Sequence, residues 1–184
     1  MSHFFKFYFS AALLAGGMAC PAAAQDQPID PAFAGVRVEA LAGYDEGLLY
    51  GVGAGYDFAA GQFVLGIEGE VSDSTASDCV NDIAGKFCAK IGRDLYAGGR
   101  LGAIIGTSTL LYVKAGYTNV RVKYGFDGGA NMNDFTDELD GIRIGAGVEM
   151  ALGGNAFVKG EYRYSNYEDG AEGHNGLVGL GIRF

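Results

Sequence analysis

Proline is scarce in this chain, three among 184 residues; tryptophan is absent, and basic residues number 13 against 22 acidic ones. So little proline excludes a Pro-rich disordered chain, and without a three-residue glycine period a collagen-like chain is excluded too. The formal net charge of −9 excludes a nucleic-acid binder, whose phosphate contacts need clustered Lys and Arg. Of the three cysteines, Cys79 and Cys88 have no C-x-x-C spacing and no nearby His, which leaves no metal or redox motif. Beyond residue 24 no long uninterrupted apolar run occurs, so a helical membrane protein is excluded. Glycine, by contrast, is abundant: 32 residues, about 17% against an average near 7%.

The first 24 residues differ from the rest. Lys6 precedes the apolar stretch Phe7 to Ala19, and Pro21-Ala22-Ala23-Ala24 precedes Gln25. This order of basic, apolar and small residues predicts a cleaved secretory signal peptide over 1–24 and one domain over 25–184. The apolar stretch is short for a span, which needs about 20 residues, and Gly17 stands where a lipidation signal ahead of Cys20 would carry Leu. Cleavage keeps 12 of the 13 basic residues and all 22 acidic ones. It also leaves Cys79 and Cys88, a close pair expected to form a disulfide in an oxidising exported compartment. Closing so small a loop contributes roughly 2–3 kcal/mol in the chain-entropy account.

The rest of the sequence alternates. Two-residue periodicity predicts strands near 35–44, 48–58, 63–72, 94–105, 110–118, 141–152, 156–165 and 175–184. Short connections at 59–62, 106–108 and 153–155 alternate with long ones at 73–93, 119–140 and 166–174; 45–47 is a short exception. Eight strands with short turns on one rim and long loops on the other predict an all-β fold, an eight-stranded antiparallel up-and-down transmembrane β-barrel.

Alternation separates two sets. One, running from Val36, Val38 and Ala40 to Leu180, Ile182 and Phe184, holds no charged residue. The other holds Arg37, Glu39, Asp57, Glu68, Glu70, Arg100, Lys114, Arg143, Glu149, Lys159, Glu161, Arg163 and Arg183, interleaved with glycines such as Gly53, Gly66, Gly147 and Gly179. Parity alone does not choose the inner face, because a soluble barrel also alternates. The glycines choose it. Gly weakens a strand and packs nothing on a solvated face, whereas inside an eight-stranded barrel long Arg and Glu side chains need small neighbours. The charged, glycine-rich set is therefore expected in the lumen and the apolar set against lipid. Tyr44, Tyr56, Phe58, Phe63, Tyr117, Tyr164 and Phe184 lie near strand ends, as interfacial girdles require.

The pieces Ala54-Gly55-Tyr56-Asp57-Phe58, Leu111 to Tyr117, Lys159 to Tyr167 with its E-Y-R-Y core, and the terminal Val178 to Phe184 resemble the small OmpA-like outer-membrane β-barrel proteins of the alphaproteobacterial porin-family type. The resemblance spans 35–184. It implies a Gram-negative outer-membrane protein with both termini in the periplasm. It also implies partnership with outer-membrane lipids and lipopolysaccharide, and insertion by a barrel-assembly machinery that reads a last strand ending in an aromatic residue, here Phe184. A peptidoglycan-binding domain after the barrel is not expected, so the resemblance does not extend to a cell-wall tether.

No cofactor, nucleic acid or catalytic role is expected. The domain holds one histidine, His174, beside Ser165 and Glu168 in sequence order but with no supporting motif. Asp127, Asp134, Asp137, Glu138 and Asp140 form an acidic patch without the spacing of a calcium loop. The near-balance of basic and acidic residues in the inward set suggests ion pairs filling the lumen. The expected role is structural, in membrane integrity and surface display; the alternative is a small-solute porin with a narrow charged lumen.

Overall fold

Glycines set the tight turns at one end of the molecule. Gly61 and Gly106 take positive φ values of 59° and 69°, and Gly153 and Gly154 follow with 90° and 60°. That left-handed backbone is what short hairpins require and is open to glycine without a Cβ penalty. The computed structural model describes residues 33–44, 47–82, 85–127 and 133–184, with the side chains of 78–89, 124–135 and 169 excepted. The expected signal peptide, 1–24, lies outside the described residues.

The described residues form nine strands: β1 (Gly35–Tyr44), β2 (Leu48–Ala60), β3 (Phe63–Ser74), β4 (Ser77–Asp82), β5 (Gly85–Ile105), β6 (Thr109–Asp127), β7 (Asn133–Gly153), β8 (Ala156–Tyr167) and β9 (Glu172–Arg183). All pairings are antiparallel. β1 pairs with both β2 and β9, and β3 pairs with β5 from Phe63↔Ala103 to Ser72↔Asp94, so eight strands close on themselves. β4 stands outside this ring and pairs only with β5. Closure leaves no sheet edge in lipid, where an unpaired backbone group is costly.

The long connections expected at 73–93 and 119–140 are largely strand, which corrects the sequence reading. β5 and β7 have 21 residues each and β6 has 19, whereas a barrel strand crosses a membrane in about 9–11. Their excess carries the sheet on past the ring, with β4 folded beside it. The alternation continues there with its faces exchanged. Ile91, Val120, Val122 and Leu139 now line the interior side, while Arg121 and Glu138 pair across β6 and β7 at 2.6 Å on the outer side. The acidic residues read as loop are, at Glu138 and Asp140, the wet face of a strand.

Within the ring the outward face is apolar. Ile67, Leu65, Val52, Val113, Ile142 and Leu180 are all at least half exposed, and a bilayer supplies the burial that water would not. Tyr44 and Tyr50 stand at one rim and Phe58, Phe63 and Phe184 at the other.

Candidate functional site: the charged interior

The interior is layered. Nearest the turns and termini lies an apolar plug of Phe33, Ala59, Val64, Leu110 and Tyr112, each no more than 4% exposed. Above it Asp57 of β2 accepts hydrogen bonds from Arg37 Nε (3.1 Å), Arg100 Nε (2.8 Å) and Arg183 Nη2 (3.0 Å). Glu149 accepts from Arg100 Nη1 (2.9 Å) and Arg183 Nη2 (2.8 Å). Arg37 also donates to Glu39 at 2.8 Å and pairs with Glu68.

The middle layer centres on two lysines. Lys114 Nζ lies 2.7 Å from Glu68, 2.8 Å from Glu70 and 3.0 Å from Glu161. Lys159 Nζ lies 2.9 Å from Glu39 and 3.4 Å from Glu161. Arg163 pairs with Glu70 at 2.7 Å and with Glu161, and the Tyr112 hydroxyl donates to Glu161 at 2.6 Å. Lys114 sits 4.3 Å from the Tyr96 ring centroid, a favourable cation–π placement. Towards the long-strand end, Arg143 pairs with Asp94 and bonds the Ser165 hydroxyl at 2.8 Å and the Tyr167 hydroxyl at 3.1 Å. Thr118 donates to Asp94 at 2.9 Å.

Arg37, Glu39, Asp57, Glu68, Glu70, Arg100, Lys114, Arg143, Glu149, Lys159, Glu161, Arg163 and Arg183 are all buried. Removing a charge from water costs several kcal/mol unless partners restore the lost hydrogen bonds, and here most carboxylates meet more than one cation. Sequence reasoning missed Asp94, which makes seven buried cations against seven buried anions among the described lumen residues. Its signal was available: Asp94 shares parity with Tyr96 and Arg100. It also missed the inward aromatics Tyr96, Tyr112 and Phe157, which it assigned to neither face.

The glycines make room for these side chains. A Cβ on Gly66 would stand 2.1 Å from Asp57 Oδ1, one on Gly53 2.8 Å from Glu39 Oε1, and one on Gly147 2.6 Å from the Tyr112 ring. Charge and glycine are therefore one packing solution within a narrow lumen.

The remaining sequence-named residues lie apart from this network. Cys79 and Cys88 are Cα partners in the β4–β5 hairpin, and their side chains lie outside the described set. Phe184 is 69% exposed on the lipid side, while its N–H donates to the Val36 carbonyl at 2.8 Å. His174 is exposed with Nδ1 2.7 Å from the Tyr162 hydroxyl, whereas Ser165 is buried against Arg143, so the two do not meet. Among the described residues no cluster of His, Cys, Asp and Glu is arranged to hold a metal. At the long-strand end a cavity of about 320 Å³ opens above Asp94 and Ser165.

A closed antiparallel ring with a lipid-facing apolar wall and an ion-paired interior defines a transmembrane β-barrel of the outer-membrane class. The family model described as outer membrane protein beta-barrel domain matches residues 10–184. The chain belongs to that family and is an outer-membrane protein. The 25 kDa outer-membrane immunogenic protein of Brucella ovis is 26% identical over 144 residues, 73% of this chain and 62% of the relative's length. Among solved structures, a major outer membrane protein of Thermus thermophilus superposes with TM-score 0.58 at 15% identity, covering 82% of this chain and 99% of that one. Ail, the attachment invasion locus protein of Yersinia pestis, gives 0.56 at 15% identity, covering 82% and 97%. At such identities the likeness is one of fold.

Proposed function

We propose that this barrel is a structural and surface-display component of the outer membrane, closed to solutes and without catalysis. The observation that carries the reading is the interior: seven cations and seven anions interlocked over an apolar plug. Eight-stranded barrels are filled by their side chains, and aqueous channels belong to rings of sixteen or more strands. The β4–β7 extension supplies the displayed surface, and the name of the Brucella relative, an immunogenic protein, is consistent with that assignment.

The second reading, a narrow porin, is favoured by the cavity at the long-strand end, which gives a solute entry as far as the Arg143 layer. Planar-bilayer conductance of refolded residues 25–184 separates the two. Silence from an inserted barrel is expected. Reproducible openings altered by Arg143→Ala with Glu149→Ala would overturn the closed reading.

The same proposal includes export by cleavage after Ala24, a Cys79–Cys88 disulfide, assembly through Phe184, and contact with outer-membrane lipids and lipopolysaccharide. The direct register of Cys79 opposite Cys88 supports the disulfide, since opposed antiparallel residues stand about 4.5–5.5 Å apart at Cα, within disulfide reach.

A further inference from the structure

Of the 13 basic residues, Lys6 falls in the expected signal peptide and seven are buried in the lumen. The other five, Lys86, Lys90, Arg93, Arg121 and Lys123, all belong to β5 and β6 where these strands run past the ring. Of the 22 acidic residues seven are in the lumen, which leaves fifteen outside it. The exterior is therefore strongly negative, and its few cations are gathered on one pair of strands.

The strand ladder places four of these cations on one outward face. Lys90 and Lys123 are Cα partners and both are exposed; their other cross-strand neighbours are Ser77 on β4 and Thr136 on β7. Like charges directly opposed destabilise a sheet, and among the described residues no carboxylate meets either lysine. One step towards the ring the ladder slips, so that Gly92 and Arg93 together stand against Arg121 alone. Such a bulge re-aims a side chain. Here it brings a second guanidinium beside the first, and both turn to Glu138 Oε1, at 3.5 Å from Arg93 and 2.6 Å from Arg121. Both arginine side chains stay more than a third exposed. Four cations thus share one acid, since Asp140, the next outward acid on β7, is engaged by Tyr117 and Asn119.

Position selects the anion that such a face would hold. Arg121 and Lys123 follow Tyr117, an exposed rim tyrosine, by four and six residues on the same side of β6. At about 3.4 Å per residue and a strand tilt near 40°, they stand roughly 10 and 15 Å beyond it. A phospholipid headgroup layer is only about 5–8 Å deep, so a plain glycerophosphate falls short of the lysines, whereas phosphates carried on sugars above the lipid reach them. The negative exterior repels a polyanion arriving from solution. A lipid arrives instead along the membrane plane, its chains against Leu111 and Val113 on the outward side of β6.

We propose that the outward face of β5 and β6 at Lys90, Arg93, Arg121 and Lys123 is a docking site for a phosphorylated glycolipid, with its acyl chains on the ring and its sugar phosphates on the four cations. The inference rests on the contact with outer-membrane lipids and lipopolysaccharide proposed above, and assigns that contact to one side of the barrel.

The test uses the isotope-labelled barrel in zwitterionic nanodiscs, followed by amide NMR shifts. The discs carry rising fractions of inner-core lipopolysaccharide, of the same material enzymatically dephosphorylated, or of phosphatidylglycerol, and soluble heparin is titrated separately. EDTA is present throughout, so that no divalent ion bridges the anions. Saturable shifts at 90–93 and 121–123 are expected with the phosphorylated glycolipid alone. Lys90→Gln with Lys123→Gln should weaken that titration about thirtyfold, the loss of two lysine contacts with an anionic layer. In zwitterionic vesicles the same double variant should resist urea at least as well as the parent, because it only relieves repulsion there; with the glycolipid present it should resist less well. Equal shifts with the dephosphorylated lipid or phosphatidylglycerol, saturation by heparin at equal or lower concentration, or unchanged binding by the double variant would each overturn the proposal. A barrel that inserts but shows no preference among these lipids would sink it too, while leaving the structural role and general contact with lipid standing.

Discussion

Gly66 stands opposite Asp57 in the β2–β3 register, and a Cβ at Gly66 would come within 2.1 Å of the Asp57 carboxylate. That carboxylate takes hydrogen bonds from three arginines on three strands. Gly66→Val is therefore expected to destabilise the barrel by about 3–5 kcal/mol, the cost of breaking a buried ionic arrangement. Urea unfolding from vesicles, read by the gel-mobility difference between folded and unfolded barrel, measures it. Gly61→Ala, at a turn with open space around its Cβ position, should cost far less than that.

Arg143 and Asp94 form the most isolated pair of the lumen, since no other carboxylate is bonded to Arg143. Arg143→Met and Asp94→Leu should each cost about 3 kcal/mol by leaving one buried charge behind. The double variant should cost clearly less than the sum. Strict additivity in the double-mutant cycle would show the two charges to be energetically independent.

Outward positions should tolerate charge differently on the ring and on the extension. Ile67, 69% exposed on the outer wall midway along β3, replaced by Arg should cost about 2–4 kcal/mol. The same substitution at Thr136, exposed on the extension, should be nearly neutral. Equal penalties in vesicle-refolded protein would contradict the placing of the ring in lipid and of the extension in water.

Cys79 and Cys88 should migrate as an oxidised pair in non-reducing gels of envelope protein, and Cys79→Ser should remove that band. Reduction should lower the stability of the β4–β5 hairpin by about 2–3 kcal/mol, read as faster amide exchange there with little change at β1 or β9.

Phe184→Ser should lower the folded fraction in cells while the purified chain still refolds in detergent. Its side chain packs on the lipid side and belongs to no lumen contact, so a defect in both settings would argue for a merely structural role.

The alternation of the ring was plain in the sequence because one physical rule governed it: Val36, Val38 and Ala40 face lipid while Arg37 and Glu39 face ion-pair partners. The rule reverses where the strands leave the membrane. Val120 and Val122 turn inward and Arg121 outward because water replaces lipid on the outer face, so a reader following apolar residues loses the strand at Asn119. Tyr112 and Phe157 were hidden for a different reason. Their neighbours Gly147 and Gly181 leave the space for their rings, a three-dimensional complementarity that one strand's pattern does not contain.

Arg37 and Arg183 are Cα partners across the seam where the first strand meets the last, and both bond Asp57 of β2. Two like charges meeting at a closing edge repel, so that seam is favourable only with the acid already in position. Arg183 also serves Glu149 on β7. Without Arg183 both carboxylates would be short of a cation at that seam. Closing the ring and neutralising its lumen are thereby one event: the first and last strands zip together only as the acid between them collects its cations.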